Sequence, residues 1–180
     1  MPEYRRAAVS GGTYFFTVVT ERRQSILTNP DIRLALRHAI QDVRNTRPFQ
    51  IDAWVILPDH LHAIWTLPEG DADFSNRWRL IKRHVSNACG GRYFRPDLLT
   101  SRRSTKRQST LWQQRFWEHR IRNEQDFQQH FDYLHGNPLK HGLVCRVQDW
   151  PWSSFHRWVR QGIYPLDSGG GEMQSQTVGE

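Results

Sequence analysis

Two apolar stretches, Phe49 to Leu57 and Leu61 to Leu67, stand on either side of the short break Pro58-Asp59. Both are rich in β-branched and aromatic residues and read as consecutive strands. A break this short leaves no room for a crossover, so the two belong to one antiparallel sheet. His60-Leu61-His62 closes the first run and leads into Ala63-Ile64-Trp65. Side chains alternate faces along a strand, so His60 and His62 project together while Leu61 packs on the other side.

Around this pair the remaining elements fall into order. Thr13 to Thr20, bounded by Gly11-Gly12, reads as a buried strand. Asn29-Pro30 opens a helix in which Ile32, Leu36, Ala39, Ile40 and Val43 recur at helical spacing. Phe74 to Cys89 predicts a second helix, with Trp78, Ile81 and Val85 on one side and Gly90-Gly91 ending it. Residues 90–110 are rich in Arg, Ser and Thr and read as a basic loop or insertion. Phe116 to Ile121 supplies a fourth strand. Asn123 then caps a helix that stops at Asn137-Pro138, and Pro151 to Gln161 suggests a last one. The order β-α-β-β-α, insertion, β-α-α predicts an α+β, ferredoxin-like sandwich: an antiparallel sheet with helices on one face. Residues 1–166 are expected to form one domain, and the Gly-rich tail 167–180 to be disordered.

Lys and Arg total 25 against 18 acidic residues, a net charge of +7, which favours an anionic partner, most simply a nucleic acid. Cys89 and Cys145 are too few and too far apart for a disulfide framework or a zinc ribbon. No apolar stretch follows Met1 to Arg6 that would serve as a signal or membrane helix, so a cytoplasmic protein is expected.

His-x-His on a strand is a weak motif by itself, because either ring can be a satisfied polar residue on a sheet face. Asp59 can be a ligand, a group that orients a ligand, or simply a turn residue. Tyr133 and Asn137, at i and i+4, share one face of a helix, where the Asn amide can reach a cation. Taken singly, Tyr133 is equally well a core aromatic and Asn137 a helix-end residue. His135 faces elsewhere on that helix, as a structural or substrate-facing residue.

Together these segments resemble the HUH single-strand transposases, and within them the REP-associated tyrosine transposases. His60-Leu61-His62 is joined by Tyr133-Leu134-His135-Gly136-Asn137-Pro138-Leu139-Lys140-His141-Gly142-Leu143-Val144, similar to the family's Tyr-Ile-His-x-Asn-Pro-Val-Lys-x-Gly-Leu-Val. Gly12 to Thr17, Trp112 to His119 and Asp149 to Phe155 support the likeness, which spans residues 10–165. One departure is Asp59, where the family often has Asn. The resemblance implies an HUH endonuclease core with a C-terminal helical extension. It also implies that His60, His62 and Asn137 hold a divalent metal, Mg2+ or Mn2+, with Tyr133 as the nucleophile. Attack would leave tyrosine joined to a 5′-phosphate, and a second strand's 3′-hydroxyl would reverse the step. The implied partner is single-stranded DNA with REP-type hairpins, repetitive extragenic palindromes flanked by a tetranucleotide. A monomer with its own tyrosine in cis is expected, whereas related insertion-sequence enzymes are dimers.

Arg77, Arg79, Lys82 and Arg83 on the second helix and Arg102, Arg103, Lys106 and Arg107 in the loop are candidates to hold phosphates. Arg5 and Arg6 open the segment to Gly12 that, with the loop, is the candidate reader of the tetranucleotide. Trp54, Trp65 and Trp78 sit in apolar patterns; Trp112, Trp117 and Trp158 can stack unpaired bases. Two other functions compete. One is a nuclease whose metal activates water, with Tyr133 only structural; the other is a hairpin-binding regulator without catalysis.

Overall fold

A computed structural model describes residues 9–101, 104 and 109–168 of the chain. Four strands, β1 (Thr13–Val19), β2 (Gln50–Ile56), β3 (His60–Thr66) and β4 (Trp117–Arg120), form one antiparallel sheet in the order β2-β3-β1-β4. Helices α1 (Pro30–Thr46) and α2 (Phe74–Tyr93) precede and follow the β2–β3 hairpin; α3 (Glu124–Lys140) and the short α4 (Phe155–Arg160) follow β4. The expected α+β topology is therefore present. The last helix begins later than the sequence suggested, at Phe155.

The helices do not all lie on one face. Tyr14, Phe16, Val18, Leu61, Ala63 and Trp65 pack with the apolar stripes of α1 and α2. Their alternates Phe15, Ala53, Val55 and Ile64 pack instead with Phe131 and Leu134 of α3. Both faces of the sheet are thus covered, which explains why β3 reads as a continuous buried run and not a polar/apolar alternation. A register shift between Ile51 and Ala53 contributes: the extra residue, Asp52, turns Ala53 and Val55 toward α3 while Ile51 stays on the α1–α2 side.

Two helix ends differ from the sequence reading. Gly90-Gly91 does not end α2, which continues to Tyr93. The Tyr93 hydroxyl donates to the Asp31 carboxylate at 2.7 Å, and Arg92 meets the same carboxylate at 3.1 Å. Docking the last turn on α1 offsets the roughly 1 kcal/mol that each helical glycine costs. Likewise α3 does not stop at Asn137-Pro138 but runs on to Lys140. It closes when Gly142, at φ +67°, donates its N–H to Leu139 and Leu143 donates to Pro138. This is a Schellman ending, whose left-handed residue is glycine because a Cβ would be strained there.

Candidate active site

The β2–β3 turn is fixed from outside the hairpin. Thr20 donates through its backbone and its hydroxyl to the Asp59 carbonyl, and the Leu27 N–H bonds the Pro58 carbonyl. Asp59 is thereby placed beside the first residue of β3, and its carboxylate lies 2.7 Å from His60 Nδ1. Burial alone would raise the Asp59 carboxyl, but hydrogen bonds from His60 and from Arg23, at 3.3 Å, bring it below the ordinary carboxylate range. An ionised Asp59 keeps the proton on Nδ1 and leaves the Nε2 lone pair of His60 available.

His62 is oriented from the neighbouring strand. The β1–β3 register sets Thr17 opposite His62, with Oγ1 2.9 Å from Nδ1. His62 is almost wholly buried, its ring stacked on Phe15 at 5.2 Å and edge-on to His60 at 4.9 Å. Desolvation holds its pKa well below the ordinary histidine value, and the neighbouring His60, His141 and Lys140 act in the same direction. A neutral imidazole is the form that ligates a cation. Its remaining nitrogen, Nε2, is buried without a hydrogen-bond partner among the described residues.

α3 brings the other side. It starts at Asn123, whose side chain accepts from the Asp126 N–H at 2.8 Å. Along its sheet-facing side, Tyr133 meets His62 at 5.5 Å and Phe15 at 6.0 Å between ring centres. Asn137 is fully buried, and neither atom of its amide has a partner among the described residues. Buried polar groups are satisfied in the great majority of cases. The unpaired imidazole nitrogen of His62 and the unpaired amide of Asn137 are groups that could hold a further ligand, and a neutral nitrogen with a carboxamide oxygen suits a divalent cation. His60 and His62 on β3 and Tyr133 and Asn137 on α3 thus come from two separate places in the sequence to one face of the sheet.

Three residues of this neighbourhood, Thr17, Lys140 and His141, were not singled out from the sequence. The Lys140 ammonium lies over the Tyr133 ring at 4.9 Å and reaches its hydroxyl at 3.5 Å. His141, at the end of α3, lies 5.2 Å from the His60 ring. The signal for Lys140 was present, since seven residues bring a side chain back to the same helix face after two turns. Thr17 gave no such signal, because its role depends on strand register. His135 points away from the site, to Ser154 Oγ at 2.8 Å, and burial lowers its pKa to about 3. Its role is structural.

The basic candidates separate into different groups. Arg77 is not a phosphate contact: it is 1% exposed, pairs with both carboxylate oxygens of Asp71 at 2.6 and 3.0 Å, and donates to the carbonyls of Arg47, Pro48 and Asp73. Lys82 donates to the Gln113 carbonyl at 2.8 Å and covers Phe116. Arg79 and Arg83 are exposed and line a groove of about 930 Å³ together with Asn87, Gln114 and Arg115. Arg115 is a basic lining residue that the sequence reading passed over. Trp112 is buried in the α1–α2 core, so it does not offer a stacking face. Trp158 is half-buried against Phe131 and donates to the Asp52 carbonyl. Trp117 is half-buried beside Phe15. Arg5, Arg6, Arg102, Arg103, Lys106, Arg107 and nearly all of the tail lie outside the described residues. Among the described residues, no helix is long and apolar enough to cross a membrane.

The chain is similar to known proteins over nearly its whole length. Residues 8–137 match the family described as Transposase IS200 like. The REP-associated tyrosine transposase of Escherichia coli K12 is 50% identical over 170 residues, 94% of this chain and 92% of that protein. A Haemophilus influenzae protein is 43% identical over 175 residues, 94% of each chain. A solved REP-associated tyrosine transposase bound to a REP hairpin superposes with a TM-score of 0.83 at 49% identity, covering 100% of this chain and 98% of that one.

Proposed function

The chain belongs to the IS200-like transposase family, within its REP-associated tyrosine branch, and on that footing we propose that it cuts and rejoins single-stranded DNA at REP-type hairpins through a phosphotyrosine at Tyr133. The observation that carries the assignment is the pair of buried, unpartnered groups, His62 Nε2 and the Asn137 amide, next to a half-buried tyrosine. A hairpin-binding protein without catalysis has no use for either.

In this reading His60, His62 and Asn137 hold Mg2+ or Mn2+, and Asp59 and Thr17 fix the tautomers of the two rings. A cation held there would polarise the scissile phosphate and offset the charge that develops on it. Tyr133 Oη bonds to phosphorus as the bond to the 3′ oxygen breaks. The phenolic proton leaves to solvent, and the departing oxygen takes one up as the 3′-hydroxyl. A free phenol, with a pKa of about 10, is a poor nucleophile near neutrality. The Lys140 ammonium 3.5 Å from the Tyr133 oxygen supplies a positive charge as that oxygen becomes anionic. The tyrosine ester retains the energy of the broken linkage, so another strand's 3′-hydroxyl reverses the step without a nucleotide cofactor.

In this reading the site acts in cis, as a monomer would, and the 5.5 Å between the Tyr133 and His62 ring centres within one chain supports it. The DNA path passes around the β4 edge. Residues 111–113 run alongside the end of β1, where Val19 pairs with His60, and the Arg79–Arg83–Arg115 groove opens beside them. Phosphates held there would lead the strand round to the histidine face. The basic residues outside the described ones, Arg5 and Arg6 with Arg102, Arg103, Lys106 and Arg107, are assigned by the same reading to the hairpin and its flanking tetranucleotide.

The test is a 3′-labelled hairpin strand incubated with Mg2+ and run on a denaturing gel. A shifted protein–DNA band is expected, absent in Tyr133→Phe and in His62→Ala. Cutting that persists in Tyr133→Phe would assign the reaction to activated water and overturn the nucleophile. Tight hairpin binding with no cutting under any divalent metal would leave only a regulator.

A further inference from the structure

A second group of ligating side chains lies on the same face of the sheet, beyond Phe15 from the Tyr133 site. His119 on β4 places Nε2 3.0 Å from each carboxylate oxygen of Asp126. His130, one helical turn after Asp126 on α3, places Nδ1 3.1 Å from Asp126 Oδ1 and 2.8 Å from the Asp126 carbonyl. The two imidazoles are stacked, 4.4 Å apart and 12° from parallel. One ligand atom from each of the three residues lies within 4.8 Å of the others. His130 is buried, and its remaining nitrogen, Nε2, has no partner among the described residues. Asp126 Oδ2 also accepts the Arg122 N–H at 2.9 Å, which steadies the carboxylate and leaves Oδ1 toward the rings.

We propose that His119, Asp126 and His130 form a second metal site, taking a Zn2+-class first-row transition ion that clamps β4 to the helix carrying Tyr133. Two imidazoles and a carboxylate are a borderline-soft set that Zn2+, Co2+ or Ni2+ fills more readily than Mg2+. Helical i, i+4 spacing of Asp126 and His130, completed from an adjacent strand, gives three protein ligands, and His119, a quarter exposed, leaves a side open to water. The ligand atoms would be His119 Nε2, Asp126 Oδ1 and His130 Nδ1. The clamp joins β4, a four-residue edge strand, to a helix whose packing on the sheet sets where Tyr133 lies.

Cobalt titration of the full chain, followed by visible absorption and equilibrium dialysis, tests this independently of cleavage. Wild type is expected to bind two Co2+, the His60→Ala/His62→Ala protein one, and that protein with His119→Asn added none. Asp126→Asn in the same background serves as a second variant, with folding of each checked by circular dichroism. One ion in wild type and none in His60→Ala/His62→Ala would overturn the second site and leave the three residues as a hydrogen-bonded network. One ion already in wild type, retained in His60→Ala/His62→Ala and lost when His119→Asn is added, would uphold this site while removing metal from the catalytic one.

Discussion

Thr17 on β1 stands opposite His62 on β3 with its hydroxyl oxygen 2.9 Å from Nδ1, so the ring that faces Tyr133 is oriented by a neighbouring strand. For Nε2 to offer a lone pair, Nδ1 must carry the proton, and Thr17 Oγ1 is the acceptor that keeps it there. Thr17→Val preserves shape and removes that acceptor. The metal concentration that half-saturates hairpin cleavage should rise about 10- to 100-fold, as for other partners of ligating histidines. An unchanged metal titration would show that the hydroxyl does not set the tautomer.

Lys140 is the charged neighbour of the Tyr133 oxygen. Lys140→Met keeps a chain over the ring and removes the ammonium. Single-turnover cleavage should slow on the order of tenfold, less than for a well-aligned oxyanion donor because the contact is long. Hairpin affinity at moderate salt should change little. Equal loss of affinity and rate would instead make Lys140 a phosphate contact.

Arg77 and Arg83 lie six residues apart on α2 and should behave as opposites. Arg77→Met breaks a buried ion pair and should cost about 3 kcal/mol of unfolding free energy, read by urea denaturation. It should leave the salt dependence of hairpin binding alone. Arg83→Ala should leave stability within about 0.5 kcal/mol and lower the slope of log K against log salt by about 1. A reduced slope for Arg77→Met in a protein still folded would return that residue to the DNA.

His135 predicts how stability depends on acid. The fold holds its ring neutral, with a pKa near 3, whereas the unfolded chain protonates it near the ordinary 6.5. Between these values the unfolded state binds more protons, so the contribution of His135 is complete above pH about 6.5 and declines as pH falls toward 3. Over that whole window it amounts to up to about 5 kcal/mol. Thermal melts from pH 7 to 4.5 should therefore fall less steeply for His135→Gln than for wild type. Parallel slopes would mean that the ring titrates alike in both states.

Much of this arrangement was legible because it is local. The strands carrying His60 and His62 announced themselves by apolar runs and a short break, and the stripes Ile32–Leu36–Ala39–Val43 and Trp78–Ile81–Val85 are the buried faces of α1 and α2. That Tyr133 and Asn137 share a helix face followed from their spacing, whereas their roles rested on the family resemblance. The basic stretch of α2 misled over Arg77, since charge patterning records that a cation is present but not whether Asp71 and three carbonyls enclose it. Gly90-Gly91 and Pro138 misled for a related reason: local propensity of about 1 to 3 kcal/mol yields to a docked last turn or to a helix end two residues away.

By itself the sequence determined which residues alternate on strands and recur on helices, and so which side chains are available to a site, because those periodicities belong to the backbone. Only the tertiary structure decided that α3 lies on the sheet face opposite α1 and α2. Residues 62 and 133 meet through long-range packing of Phe15, Ile64, Phe131 and Leu134 and through the extra residue in β2, and no local pattern encodes either. The same packing brings Thr17 to His62 and His119 to Asp126 and His130, since strand register and helix placement arise from burial summed over the whole core.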